Sequence, residues 1–235
     1  MGRKFKIVKR YYDEDYDLYK KGSITIKEGL TVLVGCNGTG KTTLIHQIKR
    51  QLKDEGIPVI SFDNLHEGGS RAASSAGFYG DFQFLAASMT SSEGENIIMN
   101  VGNLATSLRS FIQIGEVKSR TDDFTKSFAK AMWGDLVEEK KEIPKERWIL
   151  LDAIDSGLSV DNIVDIKEYL FKAIFEDAGE CQVYIIISAN GYELARGENC
   201  FDVYNGKYIK FSDYEDYRQF ILNSRNIKNK RYGEK

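Results

Sequence analysis

The sequence predicts an α/β fold in which a mostly parallel sheet is flanked by helices, with a small antiparallel sheet at the N-terminus. Three observations predict it. Short apolar strands alternate with segments of helical periodicity, which is the pattern of a mostly parallel α/β core. Two of the predicted strands, residues 148–151 and 182–188, have apolar interiors. A glycine-rich loop separates a third apolar strand, residues 30–34, from a helix.

The N-terminal half begins with two predicted strands, residues 5–9 and 23–26, that would form the antiparallel sheet. The first helix is predicted from Lys41 to Asp54, because Gly56 and Pro58 follow and neither continues a helix. The elements predicted after it are a strand, a Gly/Ser-rich loop and two helices, at residues 59–62, 67–80, 93–114 and 121–141.

The C-terminal half is predicted to contain an amphipathic helix at residues 161–176 between the two apolar strands. Asn205-Gly206 predicts a hairpin within residues 200–211, because this dipeptide suits a two-residue turn. Ser212 and Glu215 then predict a capping box for a last helix. The whole chain, residues 1–235, is predicted to be one domain, with a helical lobe around 92–143 and a C-terminal hairpin and helix at 200–235.

The bulk composition is that of a globular protein. The chain has 235 residues, 42% of them apolar and 29% charged, and a net charge of −2, so bulk charge does not mark it as a nucleic-acid binder. No apolar run approaches the length of a membrane span. The 3 cysteines are too few and too scattered for a disulfide framework or a zinc site. We therefore expect a cytoplasmic protein with no membrane association.

Residues 35–42, G-C-N-G-T-G-K-T, match the pattern G-x-x-x-x-G-K-[ST] of the P-loop that holds nucleotide phosphates. Glycines allow the backbone N–H groups to turn toward the phosphates, and the following helix directs its positive end at them. Lys41 would contact the outer phosphates, and the Thr42 hydroxyl would bind Mg²⁺. The predicted nucleotide-binding residues are Gly35, Asn37, Gly38, Thr39, Gly40, Lys41, Thr42 and Thr43.

A phosphate loop needs an acidic residue at the end of a neighbouring strand to anchor the Mg²⁺ shell. Asp152 follows the apolar strand 148–151 and is the candidate. A strand-end aspartate can instead cap a helix, but the large apolar residues before it favour the metal role. Tyr11 or Tyr12 is a candidate to stack on a base, although tyrosines more often pack or face solvent.

Three segments together resemble the ATP-binding-cassette (ABC) type of P-loop ATPase. Residues 35–43, G-C-N-G-T-G-K-T-T, look like the phosphate loop of that family, and residues 149–159, I-L-L-D-A-I-D-S-G-L-S, are similar to its Walker B segment and D-loop. Residues 91–95, S-S-E-G-E, resemble its signature loop in the soluble SMC/RecF-like form. The resemblance covers most of residues 20–195, and it implies an ABC-ATPase-like P-loop NTPase fold with ATP and Mg²⁺ as cofactors.

The resemblance also implies a head-to-tail homodimer that encloses two ATP molecules. Ser92, Gly94 and Glu95 would bind the γ-phosphate held by the second subunit, and residues 156–159 would line the dimer interface. The alternative for this signature loop is a simple helix N-cap. Gln83 resembles the family glutamine that contacts Mg²⁺ and the attacking water, but it is equally compatible with a surface glutamine between core phenylalanines.

The chain departs from the family at two positions that normally assist hydrolysis. Ala153 replaces the glutamate that polarises the attacking water, and Asn190 stands at the place of the switch histidine, where it could hydrogen-bond a phosphate. Asp155 is a candidate to take over water activation, which would make Lys41, Asp152 and Asp155 the catalytic residues of a slow ATPase. The protein could instead be a long-lived ATP switch, and a third possibility is that Ala153 is an engineered substitution.

The sequence leaves the biological partner open. No long heptad array is present, which argues against a full SMC protein, and a compact ATPase of DNA-related, mobile-element or defence processes fits better. Two basic clusters would suit DNA, although a solvated charged surface or a disordered end explains them better; they are Arg225, Lys228, Lys230 and Arg231, and Lys118, Arg120 and Lys126. The other candidate is a regulatory or assembly subunit whose ATP-bound dimer recruits a nuclease or other effector protein.

Overall fold

The computed structural model describes residues 2–10, 16–63, 107–115, 144–156 and 158–231. The strands are β1 (Gly2–Lys6), β2 (Ser23–Lys27), β3 (Gly29–Val34), β4 (Val59–Asp63), β5 (Glu146–Asp152), β6 (Gln182–Ser188), β7 (Cys200–Asp202) and β8 (Lys207–Ile209). The helices are α1 (Lys41–Asp54), α2 (Val160–Asp165), α3 (Lys172–Asp177), α4 (Tyr192–Ala195) and α5 (Tyr214–Arg231). A π-helical turn, Ile166–Phe171, joins α2 to α3, and residues 107–114 are also helical.

The central sheet has six strands in the order β4-β5-β6-β3-β7-β8. All its neighbouring pairs are parallel except β7 and β8, which form the predicted antiparallel hairpin. Strands β1 and β2 form a separate antiparallel pair. The predicted α/β fold, with a mostly parallel sheet and a small antiparallel N-terminal sheet, is therefore confirmed.

The strand order corrects one expectation about Asp152. The neighbours of the loop-bearing strand β3 are β6 and β7, and β5, which ends in Asp152, lies beyond β6. The carboxylate and the loop are thus on the same edge of the sheet but are separated by the end of β6. The strand that lies beside β3 cannot be deduced from apolar runs alone, because β5 and β6 have the same apolar character.

Side-chain alternation along the strands divides the core into two layers. Trp148 and Leu150 of β5 pack against α1 and the N-terminal sheet. Ile149 and Leu151 of the same strand face the opposite layer, which contains the helical residues 107–114, α2, α3 and α5. Both faces of the sheet are therefore covered, and the carboxyl ends of its strands meet at one edge.

The N-terminal sheet is fastened to α1 by two glutamines one helical turn apart. Gln51 Oε1 accepts the Lys6 N–H at 3.0 Å, and Gln47 Oε1 accepts the Val8 N–H at 2.8 Å. The predicted strand at 5–9 is displaced to Gly2–Lys6, because beyond Lys6 the backbone of Val8 bonds to a helix side chain instead of extending the strand.

The cap of α5 differs from the predicted capping box by one residue. Asp213 Oδ1 accepts the Asp216 N–H at 2.9 Å, and Asp216 Oδ2 accepts the Ser212 N–H at 3.1 Å. Glu215 instead accepts hydrogen bonds from Arg218 and Gln219 on its own helix. The prediction of Ser212 and Glu215 was wrong because a competing pair with the same spacing, Asp213 and Asp216, starts one position later.

Other predicted elements are described only in part. The helix predicted at 161–176 corresponds to α2, the π-helical turn and α3 in succession. Of the helix predicted at 93–114, residues 107–114 are described and are helical, with Leu108, Phe111 and Ile112 buried. The loop at 67–80, the helix at 121–141 and most of the lobe at 92–143 lie outside the described residues. Within the described ranges, no helix has both the length and the apolar character required to cross a membrane.

Candidate functional site

The loop between β3 and α1 has the backbone that its glycines predict. Gly40 lies at the N-cap of α1 with φ 95°, and Gly38 has φ 82°, both in the left-handed region. A methyl group at Gly40 would lie 2.7 Å from Leu18 Cδ2 and 2.9 Å from the Tyr19 hydroxyl. That hydroxyl donates to the Gly40 carbonyl at 2.7 Å. Gly40 is therefore required both by its conformation and by the close approach of the segment before β2.

The interior of the loop is closed by Thr39. Its N–H and its Oγ1 both donate to the Cys36 carbonyl, at 3.2 and 2.8 Å. The loop crest at Asn37 and Gly38 is exposed, and so is Thr42 in the first turn of α1, whereas Thr43 is half-buried. The structure thus shows Thr39 shaping the loop, and its contact with a nucleotide stays a prediction. Cys36 is buried within the loop.

Lys41 is buried, with 9% of its surface exposed, and its Nζ donates to the Gly35 carbonyl at 2.8 Å. Burial lowers the pKa of Lys41, and the nearby Cys36, Asp155 and Asp152 side chains oppose that shift. The structure therefore brings the three predicted catalytic residues, Lys41, Asp152 and Asp155, into one electrostatic cluster. A buried lysine in a cluster with specific carboxylates is a candidate functional residue.

Asp152 is fixed by a side chain of the intervening strand. The Ser188 hydroxyl donates to Asp152 Oδ1, and the same hydroxyl oxygen accepts the Ala153 N–H at 2.8 Å. Asp152 and Ser188 are 6% and 2% exposed. Ser188 was not predicted to have this role. The available signal was its position, since it ends the apolar strand that lies between the loop strand and the Asp152 strand.

Ala153 occupies a sharp backbone corner. Its φ of 50° makes it the one non-glycine residue with a positive φ in the described part of the chain. A left-handed conformation costs an alanine roughly 1–2 kcal/mol, and the hydrogen bond to Ser188 helps to hold it. The methyl side chain at this position can neither accept a proton nor orient a water molecule.

Asp155 connects the loop after β5 to the loop after β6. Its Oδ2 accepts the N–H groups of Asn190 and Gly191 at 2.7 and 2.6 Å. Its Oδ1 is buried and has no hydrogen-bond partner within the described residues. The Asn190 carbonyl accepts the Tyr217 hydroxyl of α5 at 2.9 Å. The backbone at Asn190 is thus held from both sides while its side chain stays exposed.

The C-terminal helix α5 also contacts the phosphate loop, which the sequence did not predict. The buried Ser224 Oγ accepts the Cys36 N–H at 3.1 Å. With Tyr217 on the Asn190 loop, α5 contacts both loops that carry predicted nucleotide ligands. Nothing in the local sequence of α5 indicates these contacts, because their partners lie elsewhere in the chain.

Several predicted site residues lie outside the described residues. They are Gln83, Ser92, Gly94, Glu95, Tyr11, Tyr12 and Gly157, and their roles stay predictions. Of the predicted Mg²⁺ ligands, Thr42 and Asp152 are described. A hydroxyl and a carboxylate are hard oxygen donors that suit Mg²⁺, which usually takes its remaining ligands from water and substrate phosphates. The residues present therefore fit this ion.

The sequence matches no known family model and no curated protein. Among solved structures, a nucleotide-free ATP-binding cassette from an ABC transporter has 15% identity over 95% of this chain and 96% of its own, with a TM-score of 0.44. The ADP conformation of another ATP-binding cassette of an ABC transporter has 15% identity over 100% of both chains, with a TM-score of 0.45. At this level, the similarities assign neither a family nor an activity, and the site rests on its own geometry.

Proposed function

We propose that this protein binds ATP with Mg²⁺ at the loop between β3 and α1. The observation that carries the proposal is the buried Lys41 ammonium, which lies at the start of α1 within the electrostatic reach of Asp152 and Asp155. Burial of a lysine is costly, and the two carboxylates offset part of that cost. A lysine kept under these conditions at the start of a helix is typical of a site built for an anionic ligand. The motif G-x-x-x-x-G-K-[ST] identifies that ligand as a nucleotide polyphosphate.

Each described residue has a physical role in this proposal. Backbone N–H groups of the loop and of the first turn of α1 bind the phosphates, and Lys41 contacts the outer ones. The exposed Thr42 hydroxyl and the Asp152 carboxylate hold Mg²⁺, with Ser188 orienting the carboxylate. When bound, Mg²⁺ neutralises charge on the phosphates. ATP is preferred to GTP here only because the motifs resemble those of ABC ATPases.

We further propose that hydrolysis is slow. Ala153 provides no general base, and loss of a well-placed base typically costs on the order of 10²–10⁴ in rate. Asp155 is the nearest candidate to replace it. Its Oδ2 is engaged by two backbone amides and its Oδ1 is buried, so neither oxygen is open to solvent, which is consistent with slow turnover.

ATP would join two copies of the chain head to tail. Ser92, Gly94 and Glu95 of each copy would complete the site of the other, and residues 156–159 would line the interface; Ser156 is half-buried and Ser159 is exposed. Neither Ala153 nor Asn190 hinders such closure. That combination favours an ATP-dependent switch, which fits either a DNA-related process or a regulatory subunit that recruits an effector protein.

The test is the mass of the protein in solution with and without ATP and Mg²⁺, by light scattering after size exclusion. We expect the 26.7 kDa chain to double its mass with ATP-Mg²⁺, and Lys41→Ala to remain a monomer with a thermal midpoint no lower than that of the wild type. The thermal midpoint of Lys41→Ala should not fall, because burial disfavours the charged form of Lys41 and the substitution removes that buried charge. Absence of labelled-ATP binding in millimolar Mg²⁺ would refute the site, and a persistent monomer that binds ATP would refute the dimer.

Turnover measurements separate the remaining alternatives. A rate typical of vigorous ATPases, about 10 s⁻¹ or more and dependent on Lys41, would exclude slow hydrolysis. DNA-stimulated turnover with a steep salt dependence would support the DNA-related role. Recovery of one specific protein only in the presence of ATP would support the regulatory subunit.

A further inference from the structure

Three polar residues of helix α5 lie on one face of the helix, because they are separated by four and by three residues along the chain. Ser224, Lys228 and Arg231 follow the buried Tyr217, so they continue the face that packs on the core. Nearer the start of the helix, that face is apolar and joins the core cluster through Tyr217, Phe220 and Ile221. At the other end, it becomes polar where it meets the phosphate loop and the β7–β8 hairpin.

Ser224 is the first contact between this face and the phosphate loop. It is 8% exposed, and its Oγ accepts the Cys36 N–H across 188 residues of sequence. A serine is a poor choice for a buried helix interior unless its hydroxyl has a partner. The bond therefore fixes α5 relative to the first turn of the loop.

Lys228, one turn further along, reaches the crest of the loop. A methyl group at Gly38 would lie 3.4 Å from Lys228 Cδ and 3.8 Å from its Nζ. Lys228 is half-buried, and no carboxylate of the described ranges pairs with it. A cation at the exposed crest of a phosphate loop, unpaired with any carboxylate of the described residues, is placed to meet an anionic ligand.

The end of α5 is anchored beyond Lys228. The Arg231 guanidinium carbon lies 4.0 Å from the centre of the Tyr204 ring. The helical segment that carries Lys228 is thus anchored by a hydrogen bond at Ser224 and by a cation–π contact at Arg231, which fixes the backbone position of Lys228 relative to the loop. The helix dipole favours cations in the last turn, but Lys230 satisfies that preference while facing solvent.

We propose that Lys228 is a second cation for the polyphosphate of the nucleotide, brought to the crest of the phosphate loop by α5, with Ser224 as its positioning residue. This inference rests on the proposed nucleotide binding. Lys41 approaches the phosphates from the start of α1, and Lys228 approaches from the side of Gly38. Because Lys228 belongs to a separate segment, a bound polyphosphate ties α5 more firmly to the loop.

The experiment is a calorimetric titration with ATP-Mg²⁺ at low salt. We expect Lys228→Ala to weaken binding about tenfold, as for the loss of one charge-assisted contact. The matched control is Lys230→Ala, an exposed cation on the same helical turn, which should change the affinity by less than about twofold. In the wild type, ATP-Mg²⁺ should also slow hydrogen exchange of the amides in residues 220–231.

Ser224 is tested through its coupling to Lys228. Ser224→Ala should weaken ATP binding, and Ser224→Thr, which keeps a hydroxyl, should restore it. The affinity of the double variant Ser224→Ala with Lys228→Ala should lie within about twofold of that of Lys228→Ala alone. A purely structural serine would lower stability without this non-additive effect on affinity.

The outcomes distinguish this inference from the proposed function. If the wild type binds ATP-Mg²⁺ and Lys228→Ala binds it equally well, the role of Lys228 is refuted while nucleotide binding stands. If the wild type does not bind, the proposed function itself fails and the inference fails with it. Should Lys228→Ala be poorly folded, Lys228→Gln, which keeps most of the side-chain stem, decides the question by the same titration.

Discussion

The phosphate loop and the carboxylate edge around Asp152 differ in how far along the chain their contacts reach. Thr39 closes the loop onto Cys36, three residues away, and Lys41 bonds to Gly35, six residues away. At the edge, Ser188 reaches Asp152 over 36 residues and Asn190 reaches Asp155 over 35. One region is shaped mainly within a single motif, and the other is assembled from separate strands.

This difference explains why the two regions should respond differently to substitution. The loop is local in its hydrogen bonds, yet it is enclosed by distant segments, with Leu18 and Tyr19 on one side and Ser224 on another. The edge depends on two acceptor atoms, Ser188 Oγ and Asp155 Oδ2, which bind backbone N–H groups of the loops. Substitutions in the loop should therefore act through clashes and strain, and those at the edge through lost hydrogen bonds.

The largest expected effect is that of Gly40→Ala. The left-handed φ and contacts below 3.0 Å with the buried Leu18 and Tyr19 together predict a loss of about 3 kcal/mol in the free energy of unfolding, and loss of ATP binding. Gly56→Ala is the control at the other end of α1, because Gly56 has φ 68° and nothing within 4 Å, and it should cost about 1 kcal/mol. Urea unfolding of both variants gives the comparison, and equal losses would contradict enclosure of the loop.

A smaller effect is expected of Asp155→Ala at the edge. Two backbone N–H groups lose their acceptor, which predicts a loss of about 2 kcal/mol and faster hydrogen exchange at the Asn190 and Gly191 amides. Asp155→Asn keeps one acceptor oxygen and should lose about half as much. If Asp155→Ala leaves the exchange of these amides unchanged, the connection between the two loops does not contribute to the stability of the edge.

The smallest effect is expected of Ala153→Gly. Glycine relieves the positive φ at this corner, and its greater freedom in the unfolded chain offsets part of the gain, so the free energy of unfolding should rise by no more than about 1 kcal/mol. Thermal and urea unfolding measure the change. A clear loss of stability would show that the corner is not strained and that the methyl group contributes through packing.

Much of the fold was predictable because its signals are local. Helix α1 has the predicted bounds, and the strands β3, β5 and β6 lie where apolar runs and the glycine loop indicated them. The order of the strands was not predictable, since similar apolar runs do not specify which strand lies beside β3. The cap of α5 was misplaced because two pairs of equal spacing, Ser212 with Glu215 and Asp213 with Asp216, overlap there.

The candidate site divides in the same way. Gly40, Lys41 and Thr42 were identified from their spacing, and Asp152 from the strand before it. Ser188, Tyr217 and Ser224 were not identified, because a serine or a tyrosine has no distinctive spacing and acquires its role from a partner in another segment. In the basic cluster at the C-terminus, only the structure distinguishes the two lysines: Lys228 lies near the phosphate loop, and Lys230 is exposed to solvent.

The sequence by itself determined the phosphate loop, its flanking strand and helix, and the absence of a glutamate at Ala153. These features are properties of neighbouring residues, since backbone conformation and side-chain chemistry are set over a few positions. Only the tertiary structure decided that β6 separates the loop from Asp152 and that α5 reaches both loops of the site. Such contacts join residues far apart in the chain, and they form because packing of both sheet faces brings those segments to one edge.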